Sequence, residues 1–432
     1  MRTETVTKRT PLRVVLPDEV PAEIAAMRAE RTARRVMVTL VLPAIALVMI
    51  GLVFVLSASS VRAFAIFHNS FWYFERQVVA AVVGVVVALV CYRVRYTTWR
   101  ALWFPLTAVS LGLLALVLTS IGTTTGGATR WIPVGSFSLQ PSEIAKFAVA
   151  VAGAALLVRN QRFIDEPVRM VVPFAVVAGA TAGLILLQPD LGTTMIVCAI
   201  VIALLFTVGI RLRSLVLWFA GALGAGLLVA MSTSYMRVRF EAFLHPWSNR
   251  TTTGYQVVQG LIALGSGHLW GVGLGASRQK WMYVPNAHTD FIFAIMGEEV
   301  GLIGEIVVLA LFGAMLYAGI RIAMKAPDRF GKLLATGIVT WLGVQTLVNL
   351  GGVTGLLPIT GVPLPLLSYG GSSLIVTMGA IGVLASIGRA GLWPGSRPRR
   401  GRFKGRRSRE RVAAPRARGV VAVRAGAPAG SG

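Results

Sequence analysis

Apolar residues in this chain gather into long runs, and Lys and Arg stand at the ends of those runs. With roughly 20 residues needed per crossing of a bilayer, the pattern predicts ten spans, at 36–57, 77–92, 101–120, 143–158, 170–188, 191–209, 213–232, 289–322, 332–352 and 369–388. Peptide groups in hydrocarbon must pair within their own segment, so the spans are expected to be helices. The fold class that follows is an all-α integral membrane protein of about ten transmembrane helices, with a long loop at 233–288 between spans seven and eight.

Composition narrows this further. Of 432 residues, 55% are hydrophobic and 14% charged, where a soluble domain carries about a quarter charged residues. No room is left for a large soluble domain, so any chemistry sits in the bilayer or its connecting loops. Cys91 and Cys198 both lie inside apolar runs, against a disulfide framework or a Cys-based metal site. The net charge of +25 would suit nucleic acid if it covered a folded surface, but it is collected at span ends. With the N-terminus inside, 33 of the 42 Lys and Arg fall on the cytoplasmic side, as the positive-inside rule requires. Three segments follow: a basic cytoplasmic segment at 1–35, a membrane domain at 36–388, and an Arg-rich cytoplasmic tail at 389–432 expected to be disordered. The tail reads more readily as a solvated strand near anionic lipid than as a docking motif.

A charge within a span is costly and marks function by default. Most of the 17 acidic residues are cytoplasmic; Glu75, Glu143, Asp190, Glu241, Asp290, Glu298, Glu299 and Glu305 fall on the outer face or in spans near it. The chemistry is therefore expected outside the cytoplasm. Glu143 and Lys146, at i, i+3 behind Pro141, share one helix face; a structural ion pair and a phosphate-facing role both fit. Gln188-Pro189-Asp190-Leu191-Gly192-Thr193 breaks the backbone between two spans, as a capped turn or a cavity lining. The loop 233–288 carries Arg237, Arg239, His245, Arg278 and Lys280 among glycines and aromatics. That suits an anionic, sugar-bearing or lipid-linked ligand, or an amphipathic lid. Its stretch Gly271–Lys280 is glycine-rich but follows no strand, so a nucleotide loop is discounted. Asp290, beside His288, stands where the polar loop meets hydrocarbon. It could cap a helix, or act as a general base with a carboxyl raised by desolvation. Glu298 and Glu299 lie deeper and must be protonated or paired. The uncharged, Pro- and Gly-rich stretch 351–373 is too broken for a helix: a re-entrant loop, a groove cover or a partner surface.

Arg130-Trp131-Ile132, Gln140–Lys146, Gln188–Thr193, His288–Phe293 and Pro363–Ser373 resemble, in order over about 40–390, the SEDS family (shape, elongation, division and sporulation). Ser57-Ala58-Ser59-Ser60 and Gly275–Lys280 resemble its division members more than its elongation members. One departure is Asn286, where the family often has Glu. The resemblance implies a ten-span fold and a peptidoglycan glycosyltransferase that polymerises lipid II, with undecaprenyl-linked glycan, on the outer face of the cytoplasmic membrane. It also implies a class B penicillin-binding protein as partner, other divisome proteins nearby, and location at the division septum. The family's essential aspartate maps onto Asp290, and its membrane Glu and Lys onto Glu143 and Lys146. In that reading Asp290 takes the proton of the acceptor sugar hydroxyl. Arg130, Lys146, Arg237, Arg239, Arg278 and Lys280 supply positive charge for the departing pyrophosphate, with His288 among the substrate contacts. No cofactor is required, though a divalent cation could share the charge. The competing readings are a lipid II flippase, an elongation polymerase and a recruiting scaffold; none calls for nucleic acid.

Overall fold

The computed structural model describes residues 19–393, without 126–127, 136, 164–165, 212, 214–215, 218–219, 222–223 and 225–233. The expected seventh span and the tail from 394 lie mostly or wholly outside the described residues. The elements are α1 (Glu19–Phe67), α2 (Trp72–Arg93), α3 (Tyr96–Ala101), α4 (Trp103–Val117), β1 (Thr123–Thr125), β2 (Ala128–Val134), β3 (Phe137–Leu139), α5 (Pro141–Arg159), α6 (Pro167–Leu186) and α7 (Leu191–Val208). They continue with α8 (Ser234–Leu244), α9 (Tyr255–Ser266), α10 (Ile292–Lys325), α11 (Arg329–Val353) and α12 (Gly371–Leu392). Among the described residues eight helices are long and apolar enough to cross a membrane, and α4 is a shorter apolar helix at the third expected span. Nine of the ten expected spans are therefore helices. The first is longer than expected: α1 begins at Glu19, so part of the N-terminal segment continues the span as one helix.

Helix α5 forms the centre. Its middle is Ala, Val and Gly, nearly all buried, and small side chains let α4, α6, α7 and α11 approach it closely. Around this centre α2 packs on α12 and α1 on α10. Their outward faces carry exposed apolar residues such as Val82, Val86, Ile303 and Ile306, as lipid-facing surfaces must. Two features depart from a plain helical bundle. A three-stranded antiparallel sheet, β1-β2-β3, stands before α5. Its signal is the β-branched run Thr123-Thr124-Thr125, a glycine pair, then Ala128–Val134 and a turn at Gly135, whose φ is 57°.

The second feature is a break in α10 at Gly301, with φ 68° and ψ −173°. The carbonyls it frees, of Glu298 and Glu299, accept from Val272 and Gly273 N–H, while Leu302 and Ile303 N–H donate to His268 and Leu269. A loop from the outer segment thus enters the break and satisfies it. The stretch after α11 solves the same problem with side chains. Asn349 donates to the Val362 carbonyl at 2.8 Å, Gln345 to Pro363 at 2.9 Å and Gln77 to Ser368 at 3.1 Å. Val362, Leu364, Leu366 and Leu367 are buried, so this uncharged stretch is a re-entrant loop held inside the bundle.

Candidate functional site

Asp290 lies just ahead of α10, after Thr289, and is 8% exposed. Thr289 Oγ1 donates to its Oδ1 at 3.0 Å, and its main-chain carbonyl accepts from Asn349 Nδ2 at 2.9 Å. The same Asn349 amide holds Val362, so one side chain of α11 fixes both Asp290 and the re-entrant loop. Burial pushes the Asp290 carboxyl above its ordinary range, and the hydrogen bond from Thr289, the Arg239 charge and Gln256 pull the other way. Arg239, on α8, also donates to the Ile359 carbonyl at 2.9 Å.

Arg130 comes from β2 and reaches the break between α6 and α7. Its Nε donates to Gln188 O at 3.2 Å, its Nη2 donates to Pro189 O, and Nη1 lies 3.9 Å from Asp190. Asp190 caps α7 through Thr193 N–H at 3.2 Å. The capping reading of this turn is therefore met, and the carbonyls it leaves are taken up by Arg130. A side chain on Gly361 would come 3.7 Å from Nη1 of both Arg130 and Arg239. The two arginines thus flank a glycine of the re-entrant loop, one of them acting on Asp290.

Glu143 and Lys146 form an ion pair at 2.8 Å, both fully buried. Lys146 Nζ also donates to Gln345 Oε1 at 2.6 Å, and Ser373 Oγ donates to Glu143 at 3.1 Å. Trp341 Nε1 donates to the same Gln345 oxygen at 2.7 Å. Gln345 and Asn349, one turn apart on α11, join this pair to the re-entrant loop and to Asp290 in one polar spine. Asp190 is near enough to Lys146 to act on it electrostatically. Sequence reasoning passed over Gln345, for which an amide inside an apolar run was the available signal.

The remaining expected site residues lie elsewhere. Lys280 is buried and bridges to Glu299 at 3.4 Å, close to Ser57, whose hydroxyl donates to Glu299 at 2.6 Å. Glu298 accepts from Ser277 Oγ and from Arg278 N–H at 3.0 Å and Gln279 N–H at 3.3 Å. Glu299 is paired with Lys280, whereas Glu298 accepts from hydroxyl and backbone donors, and Lys280 and the Arg278 backbone fasten the 267–280 loop to α10. The Arg278 and Arg237 side chains are exposed. His288 is buried between Tyr73 and Tyr369, with ring centroids 4.5 and 5.5 Å away. Burial, with Arg62 adding to it, lowers the imidazole to about 3, so it is neutral. Among the described residues no group of three or more His, Cys, Asp or Glu is placed to hold a metal.

What this arrangement offers is a desolvated carboxylate just ahead of α10, under the influence of Arg239 and tied through Asn349 and Gln345 on α11 to a buried ion pair. That set suits proton abstraction next to a developing anion. Comparison with known proteins agrees in kind. A family model described as cell cycle protein, covering FtsW, RodA and SpoVE, matches residues 37–391. A probable peptidoglycan glycosyltransferase FtsW of Geobacter metallireducens is 42% identical over 349 residues, 81% of this chain and 93% of the relative. Stage V sporulation protein E of Bacillus subtilis is 41% identical over 353 residues, 81% of this chain and 96% of the relative. A chain from a solved peptidoglycan synthase complex, described as coordinating polymerization and crosslinking, superposes with a TM-score of 0.67 at 32% identity. That match covers 81% of this chain and 96% of the other.

Proposed function

The chain belongs to the cell cycle protein family of FtsW, RodA and SpoVE, and on that premise we infer that it is a peptidoglycan glycosyltransferase polymerising lipid II into glycan strands at the outer face of the cytoplasmic membrane. The observation that carries the reading within the molecule is the buried Asp290 carboxylate under the influence of Arg239, with Arg130 across Gly361. In this mechanism Asp290 accepts the proton of the acceptor sugar 4-hydroxyl as its oxygen attacks the anomeric carbon of the donor. The bond from that carbon to the undecaprenyl pyrophosphate breaks, and its electron pair leaves with the pyrophosphate. Displacement in line turns an α-linked donor into a β-linked product, so one base suffices. Arg130 and Arg239 are guanidinium forks suited to the departing phosphates, and the re-entrant loop gives the polyprenyl chain an apolar wall. Lys146 and Glu143 set the position of this wall through Gln345. Lys280 and Arg278 hold the outer loop, and Arg237 is a further cation at its edge.

Both termini are assigned to the cytoplasm, from the distribution of Lys and Arg. A class B penicillin-binding protein is the proposed partner, supported by the likeness to a chain of a synthase complex that joins polymerization to crosslinking. Other divisome proteins are assigned to its surroundings by the same reading. Septal wall synthesis is the proposed setting, supported by the FtsW relatives; depletion should give long, undivided cells, whereas rounded cells would favour the elongation role. The direct test is glycan formation from lipid II by the protein reconstituted with its penicillin-binding partner, wild type against Asp290→Asn. Wild type should yield polymer, and the variant should be slower by about 10²–10⁴-fold, the usual contribution of a general base. Wild-type rates from the variant would sink the role of Asp290.

A further inference from the structure

Polymerisation as read above requires two prenyl-pyrophosphate sugars at once, and Arg130 and Arg239 answer the charge of one. Two outer-side cations have no part in that site. Arg62 stands near the end of α1 and Arg76 in the first turns of α2. Among the described residues neither forms an ion pair with a carboxylate. Arg62 Nε is buried and has no hydrogen-bond partner, and its charge acts on His288. The Arg76 guanidinium lies 3.8 Å from the centroid of the Trp72 ring, and its charge reaches Tyr369. Stacking of this kind holds the planar group while leaving its edges open to a phosphate.

Within electrostatic reach of these arginines is a cluster of three rings. Tyr73 and His288 are 4.5 Å apart, Tyr73 and Tyr369 5.1 Å, and His288 and Tyr369 5.5 Å. The cluster is braced by its backbone: Tyr369 N–H donates to His288 O at 2.9 Å, and Gln77 pairs with both Ser368 and Gly370. His288 is 5% exposed, yet its Nδ1 has no partner. A purely structural aromatic cluster does not call for an orphaned imidazole nitrogen, an orphaned guanidinium nitrogen and two cations without counter-ions. An anion with acceptor oxygens would satisfy them together.

We propose that Arg62, Arg76, Tyr73, His288 and Tyr369 form a second subsite, which binds a pyrophosphate-linked sugar with its phosphates on the arginines and its saccharide against the tyrosine faces. The proposal rests on the polymerase reading and adds to it a place for the second substrate. His288 and Asp290 are two residues apart, so their Cα atoms are within about 7 Å, and a sugar seated here is within reach of the Asp290 carboxylate. The neutral imidazole can offer a hydrogen bond without adding charge.

The test uses the full chain reconstituted with its penicillin-binding partner. Fluorescent lipid II and a pre-elongated undecaprenyl-pyrophosphate glycan are each varied while the other is held at saturation. Arg62→Gln combined with Arg76→Gln should raise KM for one of them about tenfold or more, the scale of a lost charge-assisted contact, with kcat little changed. A rise for lipid II assigns the subsite to the acceptor; a rise for the glycan assigns it to the donor. Lys at both positions should restore part of the loss, and equal melting temperatures would show that the variant folds. Unchanged KM values for both substrates would overturn the subsite and leave the polymerase standing. If wild type made no glycan, the polymerase reading would fail separately. Retention of fluorescent lipid II and of the fluorescent glycan by the purified wild type and double variant then reads the subsite directly: loss of either in the variant supports it and equal retention of both overturns it.

Discussion

Asp290 stands out in the amino-acid order because a carboxylate where a polar loop meets an apolar run is expensive. That Arg239, Gln256 and Asn349 act on it does not, since they come from other helices. Their placement makes a pH prediction. Burial raises the Asp290 carboxyl above its ordinary value, and the base works only when ionised. Turnover should therefore be full above that raised value and be lost as pH falls through it, so the acid limb lies above the usual aspartate range. Arg239 opposes the shift. Arg239→Gln should accordingly move the acid limb of the pH–rate profile to higher pH; a limb that stays in place or moves down would contradict the electrostatic link. Asn349 is a positioning residue, donating to Asp290 and Val362 at once. Asn349→Ala should lower kcat with KM little changed, measured by initial rates on lipid II.

Helix α10 shows how an element can be found and yet be incompletely read. An apolar run at 289–322 announces a helix, and Ile292–Lys325 is one, but the break at Gly301 depends on a loop that enters it. With φ at 68°, Gly301 tolerates a side chain poorly, and Gly301→Ala should cost about 1–3 kcal/mol, seen as a lower melting temperature in detergent. Lys280 was expected among the cations facing substrate, whereas it pairs with Glu299 beneath that loop. Removing one partner of a buried pair leaves the other charge unpaired, at about 3–5 kcal/mol. Lys280→Met should thus melt well below wild type, and adding Glu299→Gln should recover most of the loss. The β1-β2-β3 sheet was missed although its β-branched residues and glycines were visible, because strong apolar runs on either side drew the stretch into a connecting loop.

For the chain as a whole, the distribution of Lys and Arg predicts that the loop between α8 and α9 faces outward and the loop between α10 and α11 inward. A membrane-impermeant maleimide applied to intact spheroplasts should label Thr252→Cys and spare Lys325→Cys; the reverse pattern would invert the topology. Nine of the ten expected spans, as helices, and the segments that carry family motifs were legible in the amino-acid order. They were, because hydrocarbon imposes a local rule: each span must be long, apolar and helical, and each buried charge must have a reason. Which charges meet was a different matter. Arg130 with Asp190, Lys146 with Gln345, and His288 between Tyr73 and Tyr369 join residues from separate helices. Such pairs are fixed by helix packing and by the re-entrant loop. Packing depends on the shapes of whole faces, so the folded molecule alone assigned the partners.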